Sequence, residues 1–384
     1  MENKLFELVE STAPNLLLPN LQKLTVIVPI FSRQELIFRQ IAHWHGTGSK
    51  LIIIDGSETK LDSNSVKFIS SFSNVNYLYI KKAFCTRLNI VTKFINTPYT
   101  VLSPDDYFHS PSGSEAIINY LENNQSVCAC TGQSIHSIFD KNSLNIRFTS
   151  FKNRLNNYQV VEENSYKRLE NAFSKYNGAT NFSIMRSEIW QSSWGNLDPK
   201  YSSTNIYEIE QAFSVYISGK VSSLNVFGFL TTNEFPAINN DEDNRTLLFE
   251  HWWTSDEFER EKKNFVNKIS SKLSSQEDIS PESASVLIQN IINEFVKNKS
   301  NFSIMYENYK IGSYLAKTIE LAKSVLPITT YNMLRDNFIV LSGNKKFLPL
   351  EKFVKYNTYP VLNNSYINEM KRIKDLIIRF HREL

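Results

Sequence analysis

Four short apolar runs, each closing on a polar turn, constrain what this chain can become. They are Leu24-Thr25-Val26-Ile27-Val28-Pro29-Ile30, Lys50-Leu51-Ile52-Ile53-Ile54, residues 75–80 and Tyr99-Thr100-Val101-Leu102. All are of strand length and rich in β-branched residues. Helical periods separate them, over 34–45 (ended by Gly46 and Gly48), 63–71 and 85–95. Near-continuous apolar character predicts strands covered on both faces, and βαβα order with short connections predicts a mainly parallel, doubly wound α/β sheet. The ligand crevice of such a sheet lies at the carboxyl ends of its strands.

At 384 residues the chain exceeds one ordinary hydrophobic core. The reading is a lead-in over 1–22, broken by Pro14 and Pro19, then a sheet domain over 23–250 with halves 23–122 and 123–250, and a mostly helical domain over 251–384. The second half carries expected strands at 126–131, 179–185 and 221–226, a helix over 206–218 and a short helix over 187–193. Helices are expected at 256–273, 281–297 and 367–383. A net charge of +3 is too mild for a nucleic-acid partner and suits a small polyanionic substrate. Cys85, Cys128 and Cys130 lack zinc-ligand spacing, and a strand would point Cys128 and Cys130 apart, so we expect a reducing compartment and no structural metal. Glu2, Glu7 and Glu10 interrupt any signal-peptide pattern, and no apolar run approaches the ~20 residues that span a bilayer. The expected location is cytoplasmic, with peripheral contact to the inner face of the plasma membrane left open.

The strand at 99–102 runs into Ser103-Pro104-Asp105-Asp106-Tyr107-Phe108. Adjacent carboxylates at a sheet edge are hard oxygen ligands for Mg²⁺ or Mn²⁺, which in turn bridge diphosphate oxygens. An Asp pair alone equally describes a polar turn that caps the next helix. The first strand's exit, Pro29-Ile30-Phe31-Ser32-Arg33, holds no glycine, which argues against a dinucleotide-binding dehydrogenase, and no P-loop is present.

Taken in order, these segments resemble the GT-A glycosyltransferases, particularly family 2-like members. Val26-Ile27-Val28-Pro29-Ile30-Phe31-Ser32-Arg33 is similar to their first strand and loop. Ile53-Ile54-Asp55-Gly56-Ser57 is similar to the second strand end, and Arg87-Leu88-Asn89 to the Arg-Asn segment before the metal strand. Gly178 to Met185, Arg186, Trp194-Gly195-Asn196-Leu197-Asp198 and Tyr207-Glu208-Ile209-Glu210 resemble the acceptor side, for coverage of about residues 23–230. The chain departs from the pattern twice: Ser103 stands at the first acidic position of the metal strand, and Ile54 replaces one acid of the second strand end.

The resemblance implies a GT-A fold and an inverting, metal-dependent transfer of sugar from a nucleotide-sugar donor to a hydroxyl of a glycan or lipid-linked acceptor, in bacterial surface polysaccharide synthesis. It implies donor contacts from Pro29, Phe31, Arg33, Asp55, Ser57, Arg87, Asn89, Ser103 and Asp106. It implies Mn²⁺ or Mg²⁺ at Asp105, with His251 as a late ligand, and Glu208 as general base with Glu210 as runner-up. Two positions apart on a helix, Glu208 and Glu210 cannot share a face, so one alone should point into the crevice. Arg245, in the acidic stretch Asp241-Glu242-Asp243, is a further diphosphate candidate or a solvated loop arginine. His43 and His45 read as structural or surface residues, and Lys81-Lys82 as a solvated turn. Alternatives are a sugar- or nucleotide-binding homologue without catalysis, favoured by Ser103 and Ile54, and a sugar-nucleotide nucleotidyltransferase, which lacks here its Gly- and basic-rich loop. The last helix has an apolar face of Ile367, Met370, Ile373, Leu376, Ile377 and Phe380 and a basic polar side. It serves core packing or homo-oligomerisation, or docks on an anionic membrane.

Overall fold

The computed structural model describes residues 2–150, 155, 157–235, 247–308, 347–356 and 362–383. Among them, ten strands form one sheet: β1 (Leu24–Ile30), β2 (Lys50–Asp55), β3 (Val75–Tyr79), β4 (Tyr99–Leu102), β5 (Tyr107–His109), β6 (Val127–Asp140), β7 (Asn145–Ser150), β8 (Gln159–Val160), β9 (Ile184–Arg186) and β10 (Lys220–Asn233). The order is β3-β2-β1-β4-β9-β6-β10-β5, with β7 on β6 and β8 on β10. Strands β1 to β4 are mutually parallel, β9 is antiparallel to both β4 and β6, and β6 and β10 are parallel to each other. The sheet is therefore mainly parallel, and the fold is the α/β class implied by the four apolar runs.

The period-2 geometry of a strand divides each run between two cores. Val26, Val28 and Ile30 of β1 join one hydrophobic cluster, and Ile27 joins the other. Cys128 and Cys130 of β6 separate in the same way, and the three cysteines are free and buried. The first cluster is covered by α1 (Glu2–Glu10), α2 (Leu36–Trp44), α3 (Ser63–Ser70) and α5 (Pro111–Asn123). The second is covered by α4 (Phe84–Val91), α6 (Ser165–Ser174), α7 (Ser187–Ser192), α8 (Thr204–Ser218) and α9 (Phe249–Thr254).

The described residues of the C-terminal third are mostly helical, and their helices go to both sides. α10 (Glu259–Glu277) and α11 (Pro281–Asn308) pack on each other and on α6 and α8, whereas α13 (Asn364–Glu383) packs on α1, α2 and α5, and α12 (Leu350–Tyr356) lies against β7. Met370, Ile373, Leu376, Ile377 and Phe380 are buried there, so protein covers the apolar face of α13. Among the described residues, no helix is long and apolar enough to cross a membrane.

Three local expectations change. The lead-in contains α1, because Leu5, Leu8 and Val9 form an apolar stripe that closes over α2. The strand expected at 179–185 shrinks to β9: Asn177 accepts from Ala179 N and its carbonyl accepts from Thr180 N, which winds Gly178–Phe182 into a 3-10 turn instead. Strands β6 and β10 run well past 131 and 226 because Gly132 and Gly228 face each other, where a Cβ on either would meet the other's backbone at 2.5–2.7 Å. Each glycine resembles a strand end in sequence, and the pair is a close crossing within two long strands.

Candidate active site

Strand order turns back between β1 and β4: β2 and β3 lie on one side of β1, and β4 on the other. Such a switch point opens a crevice at the strand ends. A cleft of about 360 Å³ lies there, lined from β1 and its exit by Pro29, Ile30, Phe31 and Arg33, from the β4–β5 turn by Leu102, Pro104, Asp105, Asp106 and Tyr107, from α4 by Phe84 and Arg87, and from the start of α8 by Thr204, Asn205 and Glu208. Phe182 and Trp194 complete it.

Pro104 opens a β-turn closed by Tyr107 N on its carbonyl at 2.9 Å, which makes Asp105 and Asp106 the central residues. Ser103 N binds Ile27 O at 2.9 Å, fixing the turn to the neighbouring strand. Arg33 reaches in from the β1 exit, where Ser32 holds a left-handed φ of 55° and donates its N–H to Ser57 Oγ at 3.0 Å. Arg33 Nε and Nη2 donate to Asp105 Oδ2 and Oδ1 at 3.1 and 2.6 Å, a bidentate pair. Burial pushes the Asp105 carboxyl up, the charge of Asp106 pushes it further, and Arg33 pulls it back. Burial likewise raises Asp106 against the pull of Arg33 and Arg39.

Opposite, Ser203 caps α8 by accepting from Asn205 N. Thr204 and Glu208, four apart, share the face that meets the cleft. Glu210 points the other way. It is buried, forms an ion pair with Lys268 of α10 at 2.5 Å and has its carboxyl pushed up by burial. The spacing rule thus puts Glu208 in the crevice and Glu210 in a helix–helix contact.

The remaining sequence candidates divide. Pro29, Phe31, Arg33, Arg87, Asp105 and Asp106 line the cleft with Glu208, whereas Asp55, Ser57, Asn89, Ser103 and His251 are absent from its lining. Arg87 Nη1 donates to Ile30 O at 2.7 Å and Ile54 O at 2.9 Å, tying together the ends of β1 and β2. Asp55 is fully buried and accepts from Gln34 Nε2 at 2.6 Å, Tyr77 Oη at 2.6 Å and Ser57 N at 2.9 Å, a set that leaves it a structural hub of the strand end. Asn89 donates to Leu197 O at 3.2 Å and so braces the Trp194 turn. Ser103 is buried within its turn, and His251 is exposed on α9. Arg245 and the acids at 241–243 lie outside the described residues.

Sequence reading missed the residues that hold the acid pair from behind. Helix α2 is buried on every side, and its polar side chains work inward. Arg39 Nη2 and Gln40 Nε2 donate to Asp105 O at 3.2 and 3.0 Å, Gln40 Nε2 also to Tyr107 O at 2.9 Å, and His43 Nε2 meets His109 O at 2.8 Å. The signal was available: Arg39, Gln40 and His43 stand at i, i+1 and i+4 of an otherwise apolar helix, a stripe that a solvated face does not need.

The cleft offers a divalent cation oxygen ligands of the right kind. Two hard carboxylates sit side by side, both pushed toward protonation, and the Arg33 guanidinium stands on Asp105 as a cation would. Among the described residues no three His, Cys, Asp or Glu side chains group as a complete cage. Mg²⁺ commonly uses one or two carboxylates and takes its other ligands from substrate phosphate and water, so Asp105 and Asp106 would fit, while His251 lies exposed on α9 and is absent from the cleft lining.

No family model matches the sequence, and no curated protein matches it. Among solved structures, the chain is similar to S. aureus TarS 1–349 (TM-score 0.45, 10% identity, 70% of each chain covered). It is similar to S. aureus TarS (TM-score 0.46, 11% identity, 70% of this chain and 43% of that one), and to TarS 1–349 in complex with UDP-GlcNAc (TM-score 0.45, 11% identity, 70% and 71%).

Proposed function

We propose that this cleft transfers a sugar from a nucleoside-diphosphate donor to an acceptor hydroxyl, with inversion. One observation carries the reading: the turn at the β1/β4 switch point presents adjacent carboxylates and Arg33 to a cleft whose far wall bears Glu208. Arg33 has five N–H donors, of which Asp105 takes two, and the others suit departing phosphate oxygens. Asp105 and Asp106 would hold a divalent cation, whose charge would stabilise the leaving diphosphate. Glu208 accepts the proton of the acceptor hydroxyl as its oxygen bonds to the anomeric carbon and the bond to the diphosphate breaks. Phe84, Tyr107, Phe182 and Trp194 offer apolar faces to a base or sugar ring. A glycan or lipid-linked acceptor follows from the family resemblance alone.

A thermal-shift screen of UDP-, GDP-, dTDP- and CMP-sugars, with and without Mn²⁺, identifies the donor. Glu208→Gln should then keep donor binding and lose turnover by roughly 10²–10⁴-fold. Full activity in Glu208→Gln, or the absence of any nucleotide-dependent shift, overturns the proposal. Ser103 at the first acidic position favours a second reading, sugar-nucleotide binding without catalysis. Saturable binding with no transfer across an acceptor panel would establish it.

A further inference from the structure

We propose that the end of α13 is a working part of the cleft, and that His381 is a positioning residue for the Asp105–Asp106 turn. The inference rests on the function proposed above and names what keeps its acid pair in place. Its hub is Glu234, just past β10 and fully buried at the side chain. Glu234 Oε2 accepts from Arg39 Nη1 at 2.6 Å and from His381 Nε2 at 2.7 Å, and Oε1 accepts from Thr232 Oγ1. Of these three partners, Arg39 and Thr232 carry the contact on to the turn. Arg39 Nη2 donates to Asp105 O, and Thr232, whose hydroxyl proton goes to Glu234, donates its N–H to Asp106 O at 3.2 Å.

The carbonyls of both acidic residues therefore hang on one carboxylate, and α13 supplies one of its three donors. The same helix clamps the relay by packing. The Arg39 guanidinium lies between the rings of Phe108 and Phe380, 5.0 and 5.1 Å from their centroids, and the His381 ring stacks on Phe139 at 4.3 Å. His381, 147 residues beyond Glu234, is thereby coupled to the cleft through a carboxylate that is fully buried. Such outer contacts orient the groups that touch substrate, and their loss commonly costs tenfold or more in affinity or rate.

The test uses the full-length protein with three variants. His381→Ala removes the donor, His381→Gln keeps an N–H donor, and Ile377→Val loosens the packing of α13 without touching the relay. Each is measured for UDP, GDP and dTDP affinity, for melting temperature and for amide exchange across 103–107. His381→Ala should weaken nucleotide binding by about tenfold and speed exchange at the turn, with most of both recovered in His381→Gln. Ile377→Val should lower the melting temperature and leave affinity and turn exchange unchanged. If His381→Ala behaves like Ile377→Val, the inference is overturned while the proposed function stands. If the wild-type protein binds none of the nucleotides, the function falls, and turn exchange alone then decides: faster exchange in His381→Ala supports the relay, and unchanged exchange overturns it.

Discussion

At the scale of single residues, Gly56 shows how closely the strand ends are built. A Cβ there would lie 2.6 Å from Arg87 Cζ, and that guanidinium is held by the carbonyls of Ile30 and Ile54. Gly56→Ala should displace it and cost about 1–3 kcal/mol by leaving buried polar groups unsatisfied. Urea unfolding checks this in a double-mutant cycle: in an Arg87→Ala background the same change should be close to neutral, and an equal cost in both backgrounds would refute the steric coupling. This contact also explains why the role of Arg87 was only half legible. Its position near the strand ends followed from Arg87-Leu88-Asn89, but whether a guanidinium meets a phosphate or two main-chain carbonyls depends on what folds against it. Asp55 repeats the lesson. Its place at the end of β2 was readable, while its capture by Gln34 and Tyr77 depends on partners 21 and 22 residues away.

At the scale of elements, α8 was the most legible and α2 the least. The two-residue spacing of Glu208 and Glu210 decided by itself that they face apart. The consequence is a separable pair of phenotypes. Glu210→Gln should leave nucleotide binding and turnover intact and lower stability by about 1–3 kcal/mol, since the partner Lys268 is partly solvated and also donates to Asn196 O. Denaturant unfolding beside a transfer assay tests both, and a catalytically dead yet stable Glu210→Gln protein would reverse the assignment of the base. Helix α2 was expected from its period, but its polar stripe acquires meaning only through β5 and the 104–107 turn. Long-range pairing is also why β6 and β10 looked shorter in sequence than they are: two glycines that read locally as breaks meet across the sheet.

At the scale of the whole molecule, the buried histidines set an acid limit. Burial holds His43 at about 3 and His109 at about 4, against an ordinary value of 6.5, in spite of their bonds to main-chain carbonyls. An unfolded chain takes up these protons below about pH 6.5 and the folded one refuses them, so their contribution is complete above that pH and is lost as pH falls. Asp105, Asp106, Glu210 and Glu369 act in the opposite sense, because burial raises their carboxyls and the folded state protonates first. Total stability is thus a difference of two trends, and the informative quantity is the change in slope when one histidine is removed. His109→Gln should flatten the fall in unfolding free energy between pH 6.5 and about 4 by up to about 1.4 kcal/mol per pH unit. Urea titrations of both proteins at neutral and mildly acidic pH measure it. Parallel slopes would mean that His109 is protonated in the fold, which its burial against Phe229 and its bond to Leu102 O oppose. The same titration reaches the cleft, because His109 closes β5, the strand that leaves the Asp105–Asp106 turn and pairs with β10. Acid should therefore loosen β5, which follows that turn, before it loosens α10 and α11, and amide exchange in the two regions at mildly acidic pH would reveal that order.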